Sequence, residues 1–270
     1  KFLILYVDFM DMPVSFFTFP LNLILALLWL GLMVWLYKDR RKSVFVRFML
    51  SPSATIIAIC SFLLLALVAG CTGKREIVGS LPSILVFLYF QTVLLFVIMR
   101  GWRHQTAAGA RLGAVRWRFL LNHAGILLAV GSAFWGAPDS DALRVRAIRD
   151  VAVKEAFHMD GASSWIPYEI ILKDFKVDRY EDGTPLMYEA VVDVDGKEVI
   201  LRVNSPYSHS FGEDIYLVGY DSLAGESSQY CILEIVREPW KYAAVIGIIM
   251  MIAGALLLFI GGPARRNERE

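Results

Sequence analysis

Hydrophobic side chains are concentrated in five long runs, each of about 17 to 22 residues with few charges. A helix of that length crosses the roughly 30 Å hydrocarbon layer of a bilayer and satisfies its own backbone hydrogen bonds there. The pattern therefore predicts five transmembrane helices. Their expected bounds are Phe17–Tyr37, Ala54–Gly70, Leu81–Met99, Phe119–Trp135 and Tyr242–Gly261.

A different pattern occupies the segment between the fourth and fifth runs. From Leu143 to Val236, short stretches rich in β-branched and aromatic residues alternate partly with polar ones and are separated by turn residues. Asp195 and Gly196 lie between two such stretches and predict a tight hairpin. About a hundred residues in roughly six strands fit an antiparallel, sandwich-like all-β domain.

The predicted fold class is a membrane α-helical bundle with an inserted extracytoplasmic all-β domain. We expect residues 1–136 to hold four transmembrane helices with short loops. Residues 137–239 would form the β-rich domain, and residues 240–270 the last helix and its tail.

The composition agrees with a membrane protein, since 57% of the residues are hydrophobic and the net charge is only +1. The charges are unevenly placed. Residues 137–239 carry 20 Asp or Glu against 10 Lys or Arg, which is a local charge of −10.

Basic residues in the short connections predict the orientation, because cytoplasmic loops carry the excess of Lys and Arg. One side has three basic residues, Lys1, Lys74 and Arg75. We therefore expect that side, with the N-terminus and the β domain, to be outside a bacterial inner membrane and the C-terminus to be cytoplasmic. The basic residues of the other side are Lys38, Arg40, Arg41, Lys42, Arg47, Arg100, Arg103, Arg111, Arg116, Arg118, Arg265, Arg266 and Arg269.

Arg47 to Cys71 has the layout of a lipoprotein signal peptide, with a basic start, an apolar stretch and small residues before a cysteine. We expect an uncleaved helix instead, because the chain is continuous from Lys1 to Glu270. The first residue is not Met, so we expect a few preceding residues to be absent or trimmed. Cys60, Cys71 and Cys231 are odd in number and have no C-x-x-C spacing, which predicts neither a disulfide framework nor a zinc site.

His123 is the only one of the four histidines that falls inside a predicted span. An ionisable side chain at that depth is costly and usually faces a bundle interior, a cavity or a bound group. One interpretation is an interhelical hydrogen bond, with Asn122 as a further polar contact. The other is an axial ligand to haem iron, because a neutral imidazole supplies a nitrogen lone pair. A bis-histidine haem needs two intramembrane histidines, so the second ligand would come from another chain or the iron would be five-coordinate.

Arg116 lies seven residues before His123, two helical turns away on nearly the same face. It either contacts a haem propionate or, the interpretation that we favour, fixes the topology together with its basic neighbours Arg100 and Arg103. We expect His104 to be solvated, and His158 and His209 lack metal-ligand spacing. Aromatic residues of the third span would line a flat ligand or contact lipid and other helices: Phe87, Tyr89, Phe90 and Phe96.

No phosphate-binding glycine loop, nucleophile elbow, zinc-protease motif or intramembrane carboxylate pair is found in the sequence. We therefore assign no catalytic residue. No feature predicts nucleic-acid binding, and lipid is the expected surrounding of the helices.

Two stretches resemble the ResB (CcsB) family of the system II cytochrome c biogenesis pathway. They are FLLNHAGILLAVGSAFWGAPDSDALRVRAI, from Phe119, and RVNSPYSHSFGEDIYLVGYD, from Arg202. In that family a histidine lies early in the membrane helix that precedes the outer domain, and a "VN-P" turn is followed by a G-x-x-x-Y strand. The resemblance covers roughly Val46 to Gly262, and the outer domain is shorter than in many relatives.

The resemblance implies a function in haem handling. His123 matches the intramembrane haem ligand of the family and would share a haem b with a CcsA-type partner. The seven tryptophans are scattered, so the chain resembles an unfused ResB half without the tryptophan-rich segment of CcsA. It would be an accessory subunit of a haem lyase complex that serves an apocytochrome c with a C-x-x-C-H motif.

Two other functions remain open at this point. One is a membrane scaffold or assembly subunit without a cofactor. The other is an electron-transfer subunit that shares a haem b with a quinol-linked complex.

Overall fold

The computed structural model describes residues 14–73, 75–107, 117–182 and 184–261. Contacts between Cα atoms divide the chain into two compact units. The helical unit is Lys1–Pro138 with Trp240–Glu270, and the β unit is Asp139–Pro239.

The helical unit confirms the five predicted spans. In the described ranges, five helices are long and apolar enough to cross a membrane: α1, α3, α5, α6 and α7. Two short helices, α2 and α4, lie in connections that the hydropathy pattern leaves unassigned. The bounds are α1 Leu21–Asp39, α2 Val44–Met49, α3 Pro52–Thr72, α4 Arg75–Gly79, α5 Leu81–Ala107, α6 Trp117–Gly136 and α7 Lys241–Gly261.

Local sequence signals explain where the spans begin and end. The Ser51 hydroxyl accepts a hydrogen bond from the Ala54 amide at 3.1 Å, Pro52 occupies the first turn of α3, and Gly73 ends the helix with a φ of 63°. α5 continues to Ala107, beyond the expected end at Met99. Hydropathy marks only the apolar part of a helix. The polar residues after Met99 end the apolar run, but several of them have high helix propensity, so the helix continues.

Glycines set the close packing of α6 against α7. A Cβ atom at Gly125 would lie 2.6 Å from the carbonyl oxygen of Gly247, and a Cβ at Gly247 would lie 2.7 Å from the amide nitrogen of Ala129. A Cβ at Gly254 would lie 2.6 Å from the Asn122 side chain. Small residues let the two backbones approach each other, as is usual between membrane helices.

Polar contacts join α1, α5 and α6. The Trp135 indole donates to Oε1 of Gln91 at 3.2 Å, and the Asn22 amide donates to the Trp135 carbonyl oxygen at 2.9 Å. In α5, the Tyr89 hydroxyl donates to the Ala54 carbonyl oxygen of α3 at 2.9 Å. Such hydrogen bonds add specificity where apolar burial does not distinguish a helix neighbour from lipid.

The β unit is one antiparallel sheet of eight strands in the order β5-β4-β3-β2-β1-β8-β7-β6. Buried side chains of its inner face form a single core, and β5 also approaches β6 and β7, so the sheet curls around that core. The antiparallel all-β prediction is confirmed. The strands are β1 Asp141–Ile148, β2 Val153–His158, β3 Ser163–Arg179, β4 Pro185–Val194, β5 Lys197–Arg202, β6 Tyr207–Ser210, β7 Glu213–Tyr220 and β8 Tyr230–Arg237.

The predicted hairpin at Asp195-Gly196 is confirmed. Val194 of β4 pairs with Lys197 of β5, and both turn residues have positive φ, 52° and 79°. Two consecutive positive φ angles are what a type I′ turn requires, which explains the preference for this dipeptide.

A buried carboxylate connects three strands of the β unit. Glu213 of β7 accepts the Tyr168 hydroxyl of β3 at 2.7 Å and the Arg237 guanidinium of β8 at 2.5 Å, and only 6% of Glu213 is exposed. Burial, and then the hydrogen bond to Glu213, raise the pKa of Tyr168 well above its usual range, so the hydroxyl remains a donor. The sequence gives no sign of this network because its members are far apart in the chain.

Substituting Gly247 should destabilise the helical unit. A leucine would force its Cβ into the backbone of α6, and we expect overpacking to lower the free energy of unfolding by about 1 to 3 kcal/mol. Gly31→Leu in α1 is the matched control, because a Cβ there meets no atom within 4 Å. Denaturation of each variant in detergent micelles measures its free energy of unfolding. Equal unfolding midpoints for Gly247→Leu and Gly31→Leu would contradict the close packing.

Removal of Arg237 should loosen the strands around Glu213. Arg237→Met would leave a buried carboxylate without its cation, at a cost of about 3 kcal/mol. Arg144→Met removes a cation from the same sheet, but its partner Glu234 is more exposed, so we expect a loss under about 1 kcal/mol. Hydrogen exchange of the β7 and β8 amides measures the difference, and equal protection in the two variants would refute it.

Candidate functional site

His123 lies in the first third of α6, about 9 Å along the helix axis from Trp117. Its Nδ1 atom is 2.8 Å from the Phe119 carbonyl oxygen, one turn earlier, and the two rings lie 4.1 Å apart between centroids. A carbonyl oxygen only accepts hydrogen bonds, so Nδ1 carries the proton in the neutral ring. The lone pair of the imidazole is therefore on Nε2.

The imidazole lines a cavity of about 300 Å³ between α3, α5 and α6. The other lining residues are apolar except for Thr55, and the Thr55 hydroxyl donates to the Ser51 carbonyl oxygen of its own helix at 3.3 Å. Among the described residues that line the cavity, His123 is thus the only one with a nitrogen in its side chain. The lining residues are Thr55, Ala58, Ile59, Phe62, Leu63, Phe90, Val93, Leu94, Val97, His123 and Ile126.

An aromatic pair forms one wall of this cavity. Phe62 of α3 and Phe90 of α5 stack with ring centroids 4.5 Å apart and planes 19° apart. Among the aromatic residues proposed from the sequence, Phe90 lines the cavity, and Phe87 packs edge-on against Phe62 with 5.5 Å between ring centroids. Phe87 stacks on Phe134, and Phe96 packs on Tyr37. Phe62 was missed because nothing in an evenly apolar helix indicates which side faces α5.

The donor set fits haem in part. A histidine that donates Nδ1–H to a backbone carbonyl and keeps Nε2 for a metal is the usual arrangement of an imidazole ligand. The flat, apolar walls also suit a porphyrin. A volume of about 300 Å³ is at the lower limit for small-molecule sites, so the cavity would enclose only part of such a ligand. Within the described ranges, no three His, Cys, Asp or Glu residues come together as metal ligands.

The other sequence candidates make contacts of their own or lie outside the described residues. Arg116, the possible propionate contact, lies outside them, and nothing is described of the His104 side chain. Arg100 donates to the Leu50 carbonyl oxygen at 3.3 Å. In the β unit, Nδ1 of His158 is 3.4 Å from Oδ1 of Asp141. His209 packs on Tyr168 with 4.2 Å between ring centroids.

The three cysteines are free thiols. Cys60 and Cys71 are exposed on α3, and Cys231 is buried in the β unit. Burial raises the pKa of the Cys231 thiol to about 12, so it stays protonated and unreactive at neutral pH.

One family model matches part of the chain. The family model of the ResB-like family matches residues 97–230, which run from α5 through α6 to the first residue of β8. This match includes His123 and is narrower than the expected range from Val46 to Gly262. No curated protein matches the chain.

Among solved structures, the chain is similar to one described as the cytochrome c heme lyase CcmF. The two share 14% sequence identity with a TM-score of 0.43, over 87% of this chain and 45% of that chain. The chain thus spans less than half the length of that structure. The family match agrees with the resemblance predicted from the sequence: residues 97–230 are similar to the ResB-like family.

Proposed function

We propose that this chain acts in cytochrome c biogenesis by holding haem within the membrane at His123. The observation that carries the proposal is the imidazole in the wall of an apolar cavity, with Nδ1 bonded to the Phe119 carbonyl oxygen and Nε2 left as a ligand atom. When bound, haem is the group that is finally joined to the two thiols of a C-x-x-C-H motif. The ResB-like match is the reason for placing that work in cytochrome c assembly.

The residues of this chain would bind and orient the cofactor. Nε2 of His123 would coordinate the iron, while the hydrogen bond from Nδ1 fixes the ring and its tautomer. Phe62 and Phe90 would contact the porphyrin face or edge and keep water out. Arg116 remains the candidate for a propionate contact, although the interpretation that we favour for it is a role in the topology.

A second chain would complete the site. One imidazole and a cavity of about 300 Å³ provide one ligand and a partial enclosure, so a CcsA-type partner would supply the other ligand and the remaining walls. We assign the chemistry of attachment to that partner and the accessory role to this chain. The β unit, with its charge of −10, would lie outside the bacterial inner membrane and attract basic segments of apocytochrome c.

Replacing His123 tests the proposal directly. His123→Ala should abolish the Soret absorbance of haem that copurifies with the complex, and cytochrome c maturation should be lost with it. Addition of imidazole should restore part of the absorbance, because the deleted ring leaves a space of its own size in the cavity wall. A merely structural histidine would not respond to imidazole.

The outcomes of that experiment separate the three functions. Absence of haem from the unsubstituted complex would support a scaffold without a cofactor. Loss of haem with cytochrome c maturation intact would support an electron-transfer subunit. His209→Ala in the β unit is the control, and we expect both haem content and maturation to be retained.

Filling the cavity tests whether haem uses it. Ala58 is buried in the cavity wall, 1% exposed, and Ala58→Leu would place three further carbon atoms into the cavity. We expect haem content per protein to fall at least several-fold while His123 is unchanged. Ala66→Leu makes the same change on an exposed part of α3 and should leave haem content as it is. Equal haem content in the two variants would exclude this cavity as the site.

A further inference from the structure

The connection between α1 and α3 lies at a membrane surface. α1 ends at Asp39 and α3 begins at Pro52, and both are candidate membrane spans. Since two spans are joined by so few residues, α2 within this connection cannot be far from the lipid headgroups.

The connection carries a dense positive charge. Within the described part of the chain, no ion pair involves any of its basic residues. Two of them lie over aromatic rings instead, Arg40 over Trp35 at 5.7 Å and Arg41 over Tyr37 at 5.6 Å. Together with Lys38 in the last turn of α1, and beside one carboxylate at Asp39, these cations form a set that we call the basic connection: Lys38, Arg40, Arg41, Lys42 and Arg47.

A sixth cation approaches from α5. The Arg100 guanidinium donates to the Leu50 carbonyl oxygen, just after the end of α2, at 3.3 Å. Positive charge at this surface therefore comes from two parts of the sequence that are about fifty residues apart. An anion bound here would be attracted by both.

α2 presents apolar side chains to the outside beside these cations. Val46 is fully buried and Met49 nearly so, which fixes one face of α2 against the helical unit. On the other face, Val44 is 75% exposed and Phe45 and Phe48 are each nearly half exposed. A short helix with exposed aromatic side chains and flanking cations has the character of a segment that lies in a lipid interface.

We propose that the basic connection and the exposed face of α2 bind an anionic phospholipid. Its phosphate would be held by Lys42, Arg47 and Arg100, and its acyl chains would lie against Phe45 and Phe48. Phosphate is the chemistry that these cations recognise, and the apolar face selects a phosphate attached to a lipid. The membrane topology would account for the cations by itself. It does not account for the aromatic rings that lie under Arg40 and Arg41, or for the exposed apolar side chains of α2.

A lipid titration of the full chain tests the proposal. Detergent-purified protein is titrated with phosphatidylglycerol or phosphatidylcholine, and native mass spectrometry counts the bound lipids. Lys42→Gln with Arg47→Gln removes two exposed charges. We expect a roughly thirtyfold loss of apparent affinity for phosphatidylglycerol and little change for phosphatidylcholine, since each surface cation contributes about fivefold.

A matched control removes the same charge elsewhere. Lys173→Gln with Lys176→Gln neutralises two exposed lysines of β3, and we expect phosphatidylglycerol affinity to be unchanged. Phe45→Ser with Phe48→Ser should weaken binding without a change in charge. The proposal is overturned if Lys42→Gln with Arg47→Gln binds phosphatidylglycerol as the unsubstituted chain does. Competition by millimolar inorganic phosphate would also overturn it, because the ligand would then be a free phosphate.

Discussion

The candidate site depends on the hydrogen bond that holds the His123 imidazole inside an apolar helix. Nδ1 of His123 donates to the Phe119 carbonyl oxygen, within its own helix. That bond leaves the ring oriented without any contribution from another helix. The lone pair of the neutral ring is then on Nε2, and the ring lines a cavity whose described wall is otherwise nearly all hydrocarbon.

The packing of α6 against α7 determines which side of α6 lines the cavity. Gly125 and Ala129 turn one side of α6 toward α7, where the backbones approach closely. His123 and Ile126 lie on a neighbouring side of the same helix and line the cavity. Because close packing against α7 fixes the rotation of α6, it also fixes which residues meet α3 and α5. The position of His123 in the cavity wall thus depends on the glycines that pack α6 against α7, although only the histidine could bind a ligand.

Sequence patterns predicted those features that depend on local residues. Span positions follow from apolar length, and the Asp195-Gly196 turn follows from the backbone angles that its residues allow. The cavity did not follow, because α1 and α3 are apolar on all sides and give no indication of their partners. The structure has eight strands where the sequence predicted roughly six, for a related reason: hydrogen bonds to neighbouring strands, and not their own composition, hold the short strands β2 and β6 in the sheet.

The small size of the site limits how it would hold a cofactor. A cavity of about 300 Å³ with one ligand atom cannot hold a large cofactor as a closed pocket does. Under the proposed function, this is an advantage, since a cofactor that must be passed on should not be enclosed by one chain. A site completed by a second chain retains its ligand only while both chains contribute, so binding and release are governed by the contact between them.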